Sequence, residues 1–485
     1  MNSFVKQSVI YGIGQLVVQL VGFLIYPILT NDNYFTVEQF GIWNILAPTM
    51  TILTVIYSGG LSTGFFKYFI NSDSPQQRYS AFSRSIFIIL ALGVSVSILG
   101  IGLLPVITHK LFSQSISWKY IVLVMLTAFA NSITAVCLAV YRAQEKARQF
   151  VLINSLRFFL MANLVFFAVM LRHGGLLGLL LAYAGSAVVV ALVLYVTTVR
   201  SIEKTPVIPG LARKIARFSF PLIPTQLAGW VLSVSDKFVI GIVLGAATVG
   251  LYSAGYQIAM VTNAFFIGPF SLAWGPFMFR EGTKPDGPQK IADLLLLYTM
   301  LGAMFVTPFI LFGVDLIALL SNNPSYAESY RVIPPVVAGY LFFGYYLFYT
   351  TGFNLNNKTQ YFPLITGSVG VLNIILNLLL LPRYGYMAAA WVTLISYFFL
   401  FIVMKWSTAR IYPLPVKWLR VIGFWIVLFG VMLVAQVPFS SMHLLNLSIK
   451  LLLNLALWVI FITMGPVPLR ELRHKIEEWK NRRNG

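Results

Sequence analysis

The sequence predicts an all-α polytopic membrane protein of about fourteen transmembrane helices, in two pseudo-symmetric six-helix lobes plus two C-terminal helices. Three observations lead there: composition, the spacing of the apolar runs, and an internal repeat. Of 485 residues, 58% are hydrophobic and only 10% are charged, against about 25% charged in a soluble domain. Mean hydropathy is +0.82, too high for a chain that must cover its core with polar surface. A membrane-crossing helix takes about 20 apolar residues, so fourteen use roughly 280 positions, which matches the apolar share of this chain. Little remains for a soluble domain.

The expected spans are 5–30, 41–70, 84–108, 118–141, 150–171, 174–199, 218–243, 250–279, 290–320, 330–353, 360–381, 386–406, 418–436 and 447–464. The junctions at 171–174 and 382–386 are short, but one continuous helix through either would outrun a bilayer. One early lysine and a long apolar run, without a small-residue cleavage site, predict a retained first helix rather than a removed signal peptide. Sorted by connecting segment, 26 of the 34 lysines and arginines fall on the side of the N-terminus, 6 on the other side, and Arg157 and Lys237 inside spans. Positive charge concentrates on the cytoplasmic side. Both termini are therefore expected in the cytoplasm, with the chain in the cytoplasmic (inner) membrane.

Net charge is +20, which in a soluble protein points to nucleic acid. Here the basic residues sit between apolar spans, topology accounts for them, and no nucleic-acid partner is expected. The single cysteine, Cys137, allows no intrachain disulfide. His109, His173, His443 and His474 lack metal-ligand spacing, and neither HExxH nor CxxC occurs. No metal, no cofactor and no catalytic residue is expected.

The basic segment Arg200–Arg217 divides the first six spans from the rest, and features recur across it in constant order. Gly41-Ile42-Trp43 and Gly250-Leu251-Tyr252 open spans two and eight, 209 apart. Phe66-Lys67 and Phe279-Arg280 close them, 213 apart. Pro75-Gln76-Gln77-Arg78 matches Pro288-Gln289-Lys290, and Lys146 matches Lys358. Arg172-His173-Gly174 matches Arg383-Tyr384-Gly385, 211 apart. Six helices per repeat give both repeats one orientation, about an axis along the membrane normal, with a substrate site between the halves. The expected organisation is a lobe at 1–199, a cytoplasmic linker at 200–217, a second lobe at 218–408, two additional helices within 409–469, and a basic tail at 470–485.

Diffuse motifs run in order along the chain: Gly12-Ile13-Gly14-Gln15 through Pro27-Ile28-Leu29-Thr30, then Phe40-Gly41-Ile42-Trp43. They continue in Ser235-Asp236-Lys237-Phe238-Val239-Ile240-Gly241, Val249-Gly250-Leu251-Tyr252, Leu372-Asn373-Ile374-Ile375-Leu376-Asn377-Leu378 and Pro382-Arg383-Tyr384-Gly385. In these the chain resembles the multidrug/oligosaccharidyl-lipid/polysaccharide (MOP) exporter superfamily, and within it the polysaccharide-transporter branch that includes Wzx-type O-antigen flippases. The resemblance covers essentially the whole chain. Met387-Ala388-Ala389-Ala390 departs from the usual small-residue pattern, which bears on helix packing. The resemblance implies alternating access between two lobes that moves an oligosaccharide on undecaprenyl diphosphate across the membrane, for surface polysaccharide such as O-antigen and lipopolysaccharide. It implies as partners the lipid-linked oligosaccharide, membrane lipids, a polysaccharide polymerase and a chain-length regulator.

Among candidate site residues, Asp236 and Lys237 lie inside span seven, where charge is a functional candidate by default. The alternative is that Lys237 snorkels outward while Asp236 pairs with another helix. Arg157 in span five either lines a cavity or snorkels to the cytoplasmic interface. Gln15 and Gln19 share one face of span one at i, i+4, and Gln226 stands 211 residues after Gln15. Such amides suit sugar hydroxyls or bond helix to helix. Lys67 and Arg280, with Arg84 as a third member, are headgroup candidates near the expected cytoplasmic mouth, or else obey the positive-inside rule. Pro27, Pro48, Pro221, Pro224, Pro269 and Pro276 are expected to interrupt the leading helices of the lobes.

A peptidoglycan lipid-precursor flippase and an ion-coupled small-molecule antiporter are alternatives on the same fold. A membrane polymerase or glycosyltransferase is weaker, because the external carboxylates are few: Asp32, Glu38, Glu328 and, at a span end, Asp315. No GxxxxGK[ST] loop occurs, so an ion gradient is expected to drive any uphill step, with Asp236 as coupling carboxylate. The double variant Lys67→Gln/Arg280→Gln is expected to strand lipid-linked glycan on the cytoplasmic leaflet at normal protein abundance. Normal export from that variant reduces the pair to topology signals.

Overall fold

The computed structural model describes residues 22–70, 74–112, 116–144, 146–321, 323–356, 358–434 and 443–465. Among them, twelve helices are long and apolar enough to cross a membrane, and Trp418–Val434 is a shorter apolar helix. The protein is a multi-pass, all-helical membrane protein. The expected first span lies outside the described residues except for its end, where 22–29 is helical and includes Pro27.

The helices in chain order are α1 (Val37–Ser58), α2 (Leu61–Ile70), α3 (Pro75–Phe112), α4 (Trp118–Ala143), α5 (Ala147–Val165) and α6 (Gly175–Ser201). Then come α7 (Leu211–Ser219), α8 (Ile223–Leu244), α9 (Ala246–Thr262), α10 (Gly268–Glu281), α11 (Gly287–Leu311) and α12 (Gly313–Leu320). The last five are α13 (Ile333–Leu355), α14 (Phe362–Tyr384), α15 (Met387–Thr408), α16 (Trp418–Val434) and α17 (His443–Met464). Both short junctions separate two helices. The first turns at His173 and Gly175, both at positive φ, and the second at Gly385, φ 65°.

Several spans differ from expectation for local reasons. Span two breaks into α1 and α2 because Gly59 and Gly60 both take left-handed φ, 54° and 67°, which glycine adopts without steric cost. Thr36 and Gln39 close a capping box that starts α1. Pro221 and Pro224 open a helix rather than interrupt one: Pro221 sits in the short turn Phe220–Leu222, and Pro224 is the second residue of α8. Proline is tolerated there because the first turn has no intrahelical partner for its missing N–H. Pro48 and Pro276 lie inside α1 and α10. Pro269 follows a π-turn at Asn263–Ile267, a wider turn that adjusts the hydrogen-bond ladder just ahead of the missing donor. Span nine divides into α11 and α12 at Phe312.

By packing, the chain falls into two compact units. The first holds Met1–Ser253, Ser321–Asn323 and Gly370–Tyr386; the second holds Ala254–Leu320, Pro324–Val369 and Met387–Gly485. In the first unit, α4 packs on α1 and α6. The basic segment after α6 carries an amphipathic helix: Leu211 and Ile215 are buried, while Arg213, Lys214 and Arg217 are exposed. A side chain on Gly41 would overlap the Ala246 carbonyl oxygen, and one on Gly250 the Val37 carbonyl oxygen. Those contacts exchange partners at one separation of 209 residues, as a local twofold between the starts of α1 and α9 requires.

In the second unit, aromatic rings dominate. Phe342 stacks on Trp425 at 4.1 Å between centroids. Trp425 Nε1 donates to the Tyr345 hydroxyl at 3.1 Å, and Thr299 hydrogen-bonds that hydroxyl at 2.8 Å. These bonds staple α16 to α11 and α13. Lys450 of α17 pairs with Asp315 of α12 at 2.6 Å. Outward residues such as Ile98, Leu419 and Leu433 are apolar and exposed, as a surface facing acyl chains must be.

Gly41→Val and Gly250→Val are each expected to destabilise the protein by about 1–3 kcal/mol, the range for overpacking a closely fitted interface. A thermal midpoint in detergent unchanged from wild type in either variant would show that the backbones can part freely.

Candidate functional site

The first unit contains a buried polar cluster built on the motif at 235–237. Asp236, Lys237 and Ser235 sit on α8 and are 3%, 6% and 6% exposed, so Lys237 does not snorkel to the outside. Successive helical residues point about 100° apart, and each finds its partner on a different helix. Asp236 Oδ2 accepts from the Tyr252 hydroxyl of α9 at 2.5 Å, and Oδ1 accepts from the Lys237 backbone N–H at 2.8 Å. Lys237 Nζ donates to Asn44 Oδ1 of α1 at 3.3 Å. Ser235 donates to Asn373 Oδ1 of α14 at 3.2 Å, and Asn377 donates to the same oxygen at 3.0 Å. The three-residue motif thus ties α8 to three helices. Water is scarce at this depth, and these partners replace it.

A second polar region of the first unit is a cavity of about 490 Å³ among α1, α4, α5 and α6. Its described lining includes Trp43, Thr54, Asn131, Arg157, Tyr183 and Ser186. Arg157 donates through Nη2 to Asn131 Oδ1 at 2.6 Å. Its guanidinium also lies 5.6 Å from the Phe158 ring centroid. Arg157 stands ten residues past the start of α5 at Ala147, roughly 15 Å along the axis at about 1.5 Å per residue. From that position in α5, Arg157 lines the cavity.

The remaining candidates are dispersed. The Arg280 side chain, at the end of α10, is 71% exposed and its Nε lies 3.2 Å from Glu281. Glu281 also takes Lys284 at 2.9 Å and Lys290 at 3.1 Å. Lys290 reaches Asp286 at 2.8 Å as well, and that hydrogen bond holds the Asp286 carboxyl below the usual carboxylate range. Arg280 thus has a carboxylate beside its Nε, on a side chain otherwise open to solvent. Lys67 lies on α2, with its side chain outside the described residues. Arg84 is half-buried on α3, and Gln226 is exposed on α8. Gln15 and Gln19 lie outside the described residues. No group of three His, Cys, Asp or Glu side chains suited to a metal occurs among the described residues.

Sequence reasoning passed over Asn44, Asn131 and Tyr183, and it took Trp43 and Tyr252 only as markers of the repeat and the resemblance, not as functional residues. Asn44 and Asn131 carried a usable signal, since an amide inside a span needs a partner. Tyr183 carried none, because aromatic residues are common throughout the spans, and the matched positions of Trp43 and Tyr252 in the repeat did not reveal their contacts.

A third region, in the second unit, is an apolar groove of about 690 Å³ among α13, α15 and α16. Phe342, Trp425 and Phe429 line it, with Lys405 beside Trp418 at 3.8 Å from the ring centroid.

Tyr252→Phe is expected to cost about 1.5–3 kcal/mol, because it strands a buried carboxylate oxygen. Asp236→Asn is expected to cost more, about 3–5 kcal/mol, because it leaves the buried Lys237 without its negative neighbour. Thermal unfolding in detergent measures both, and a Tyr252→Phe protein as stable as wild type would mean that Asp236 draws no stability from this bond.

The fold is that of MOP transporters. A solved structure of the lipid II flippase MurJ in an inward closed conformation superposes with a TM-score of 0.77 at 13% identity, over 94% of this chain and 98% of that one. An inward-facing MATE-family multidrug resistance transporter of the MOP superfamily gives 0.65 at 15% identity, over 83% and 98%. A MOP superfamily transporter from Pyrococcus furiosus gives 0.58 at 16% identity, over 84% and 96%. By sequence, no curated protein matches the chain. A family model described as polysaccharide biosynthesis protein matches residues 4–281, more than half of the chain. With polar groups buried inside its spans and the MOP fold around them, the chain belongs to the polysaccharide biosynthesis protein family.

Proposed function

We propose that the protein is a flippase that moves a lipid-linked oligosaccharide, carried on undecaprenyl diphosphate, across the cytoplasmic membrane for surface polysaccharide biosynthesis. The observation that carries this reading is the family match over residues 4–281 on a MOP transporter fold. The distribution of chemistry supports it. Polar and cationic groups lie inside the helical units, at the Asp236–Lys237 cluster and the Arg157 cavity, where a glycan has to pass. The apolar groove in the second unit suits an isoprenoid chain, with Lys405 as a cation near a phosphate. Hydroxyls and amides exchange hydrogen bonds with sugars. Charge-assisted bonds of roughly 1.5–3 kcal/mol each hold a diphosphate without trapping it.

In this reading, 1–199 and 218–408 are six-helix lobes that rock about a central cavity, α16 and α17 form the additional pair, and both termini face the cytoplasm. The basic tail at 470–485 lies outside the described residues, and its charge suits anionic headgroups. Lys67 and Arg280 receive the diphosphate, and Glu281 returns to Arg280 on release. Asp236 couples the cycle to an ion gradient. Polymerase and chain-length regulator act on the delivered glycan. A lipid II flippase is the second reading, favoured by the TM-score of 0.77 over 94% of the chain.

Deletion of the gene is expected to strand lipid-linked oligosaccharide on the cytoplasmic leaflet and to abolish surface polysaccharide, with both restored by the wild-type chain. Accumulation of lipid II with normal surface polysaccharide would instead establish the second reading.

A further inference from the structure

Within the first unit, the Arg157 cavity has an unbalanced charge. Arg157 is the one ionisable side chain with a formal charge at neutral pH among the described lining residues. Its hydrogen bond goes to a neutral amide, Asn131, and no carboxylate lies within ion-pair distance of it among the described residues. The sequence offers none nearby. Before residue 200 the acidic residues are Asp32, Glu38, Asp73 and Glu145, all between the apolar runs, and the first 21 residues contain no acidic residue. Lys450, by contrast, closes on Asp315 in the second unit. A guanidinium held at mid-depth with no counter-ion favours an anion that enters from outside.

The rest of the lining specifies what carries that anion. Trp43 and Tyr183 meet at 4.7 Å between ring centroids and at 59°, two apolar faces set as a corner. Thr54, Asn131 and Ser186 add hydroxyl and amide groups. A ring with C–H faces and hydroxyl edges fits that combination, and about 490 Å³ falls in the ordinary range for a small-ligand pocket. We infer that this cavity is a binding site for an anionic sugar, whose carboxylate or phosphate takes a bidentate place on the Arg157 guanidinium while the pyranose packs into the Trp43–Tyr183 corner. The inference rests on the transport reading only for the source of the ligand. A uronic acid within the glycan and the phosphorylated sugar at its lipid end share this chemistry.

The test is equilibrium binding to the purified full-length protein in lipid nanodiscs, with glucuronic acid, glucose 1-phosphate and glucose as probes up to millimolar concentration. Wild type is expected to bind at least one anionic probe tenfold or more tighter than glucose. The tighter of the two anionic probes assigns the source. Arg157→Gln is expected to remove that preference, and Arg157→Lys to keep part of it. Asn131→Asp guards against a folding defect, because it places a carboxylate on Arg157. It is expected to raise the thermal midpoint and abolish anionic preference. Equal binding of glucose and both anions by wild type, no saturable binding of either anion, or undiminished preference in Asn131→Asp overturns the site. Since binding is read without transport, a deletion strain that strands no lipid-linked glycan overturns the transport reading separately.

Discussion

A hydrocarbon surround offers no hydrogen bonds, so polar groups of this chain find partners inside the protein or not at all. That constraint organises the structure. Serine and threonine side chains turn back onto their own helices, as Thr54 does to the Met50 carbonyl and Thr127 to the Leu123 carbonyl. Tryptophans tie helices together through their one donor, Trp230 to the Pro48 carbonyl in the first unit and Trp458 to the Met304 carbonyl in the second. Helix-breaking residues are accommodated where another group or a wider turn takes over, as at Pro269.

Charges obey the same rule with higher stakes. Lys450 and Asp315 satisfy one another where two helices of the second unit meet. Asp236 and Lys237 are adjacent, and their side chains also bond in different directions, to Tyr252 and Asn44, so the pair connects helices. Such a pair does not tolerate loss of either member, because the survivor would remain buried without its neighbour's opposite charge. Arg157 departs from the pattern, with Asn131 as its hydrogen-bond acceptor and no carboxylate in reach among the described residues. In a solvent this poor, that asymmetry is the observation on which the inferred binding position rests.

Backbone proximity supplies the second organising element. Gly41 and Gly250 let α1 and α9 approach until carbonyl oxygens fill the space of a side chain. The same region carries Phe40 and Tyr252, both fully buried. Asn44 follows Gly41 by almost one turn of α1, so the depth to which α1 seats also governs how Asn44 meets Lys237 at 3.3 Å. The polar cluster therefore depends on glycines that bear no chemistry of their own.

Membrane class, the order of most helices, both short helix–helix junctions and the 209-residue correspondence of Gly41 with Gly250 were legible in the sequence, because they depend on apolar run length and on residues that recur at fixed intervals. Asp236, Lys237 and Arg157 were legible as exceptions, since a charge inside an apolar run stands out in one dimension. Their partners were not. Tyr252 lies 16 residues from Asp236, Asn44 lies 193 from Lys237 and Asn131 lies 26 from Arg157, separations that no helical period relates. The carboxylate of Glu281 beside Arg280 was equally silent, because successive residues on a helix diverge and meet only where the helix end allows it. The sequence by itself determined which segments cross the bilayer and where charge enters it, as both follow from the free energy of placing each residue type in hydrocarbon. Only the tertiary structure decided which charges are neutralised by a partner and which face a cavity, because that depends on distances between helices far apart in the chain.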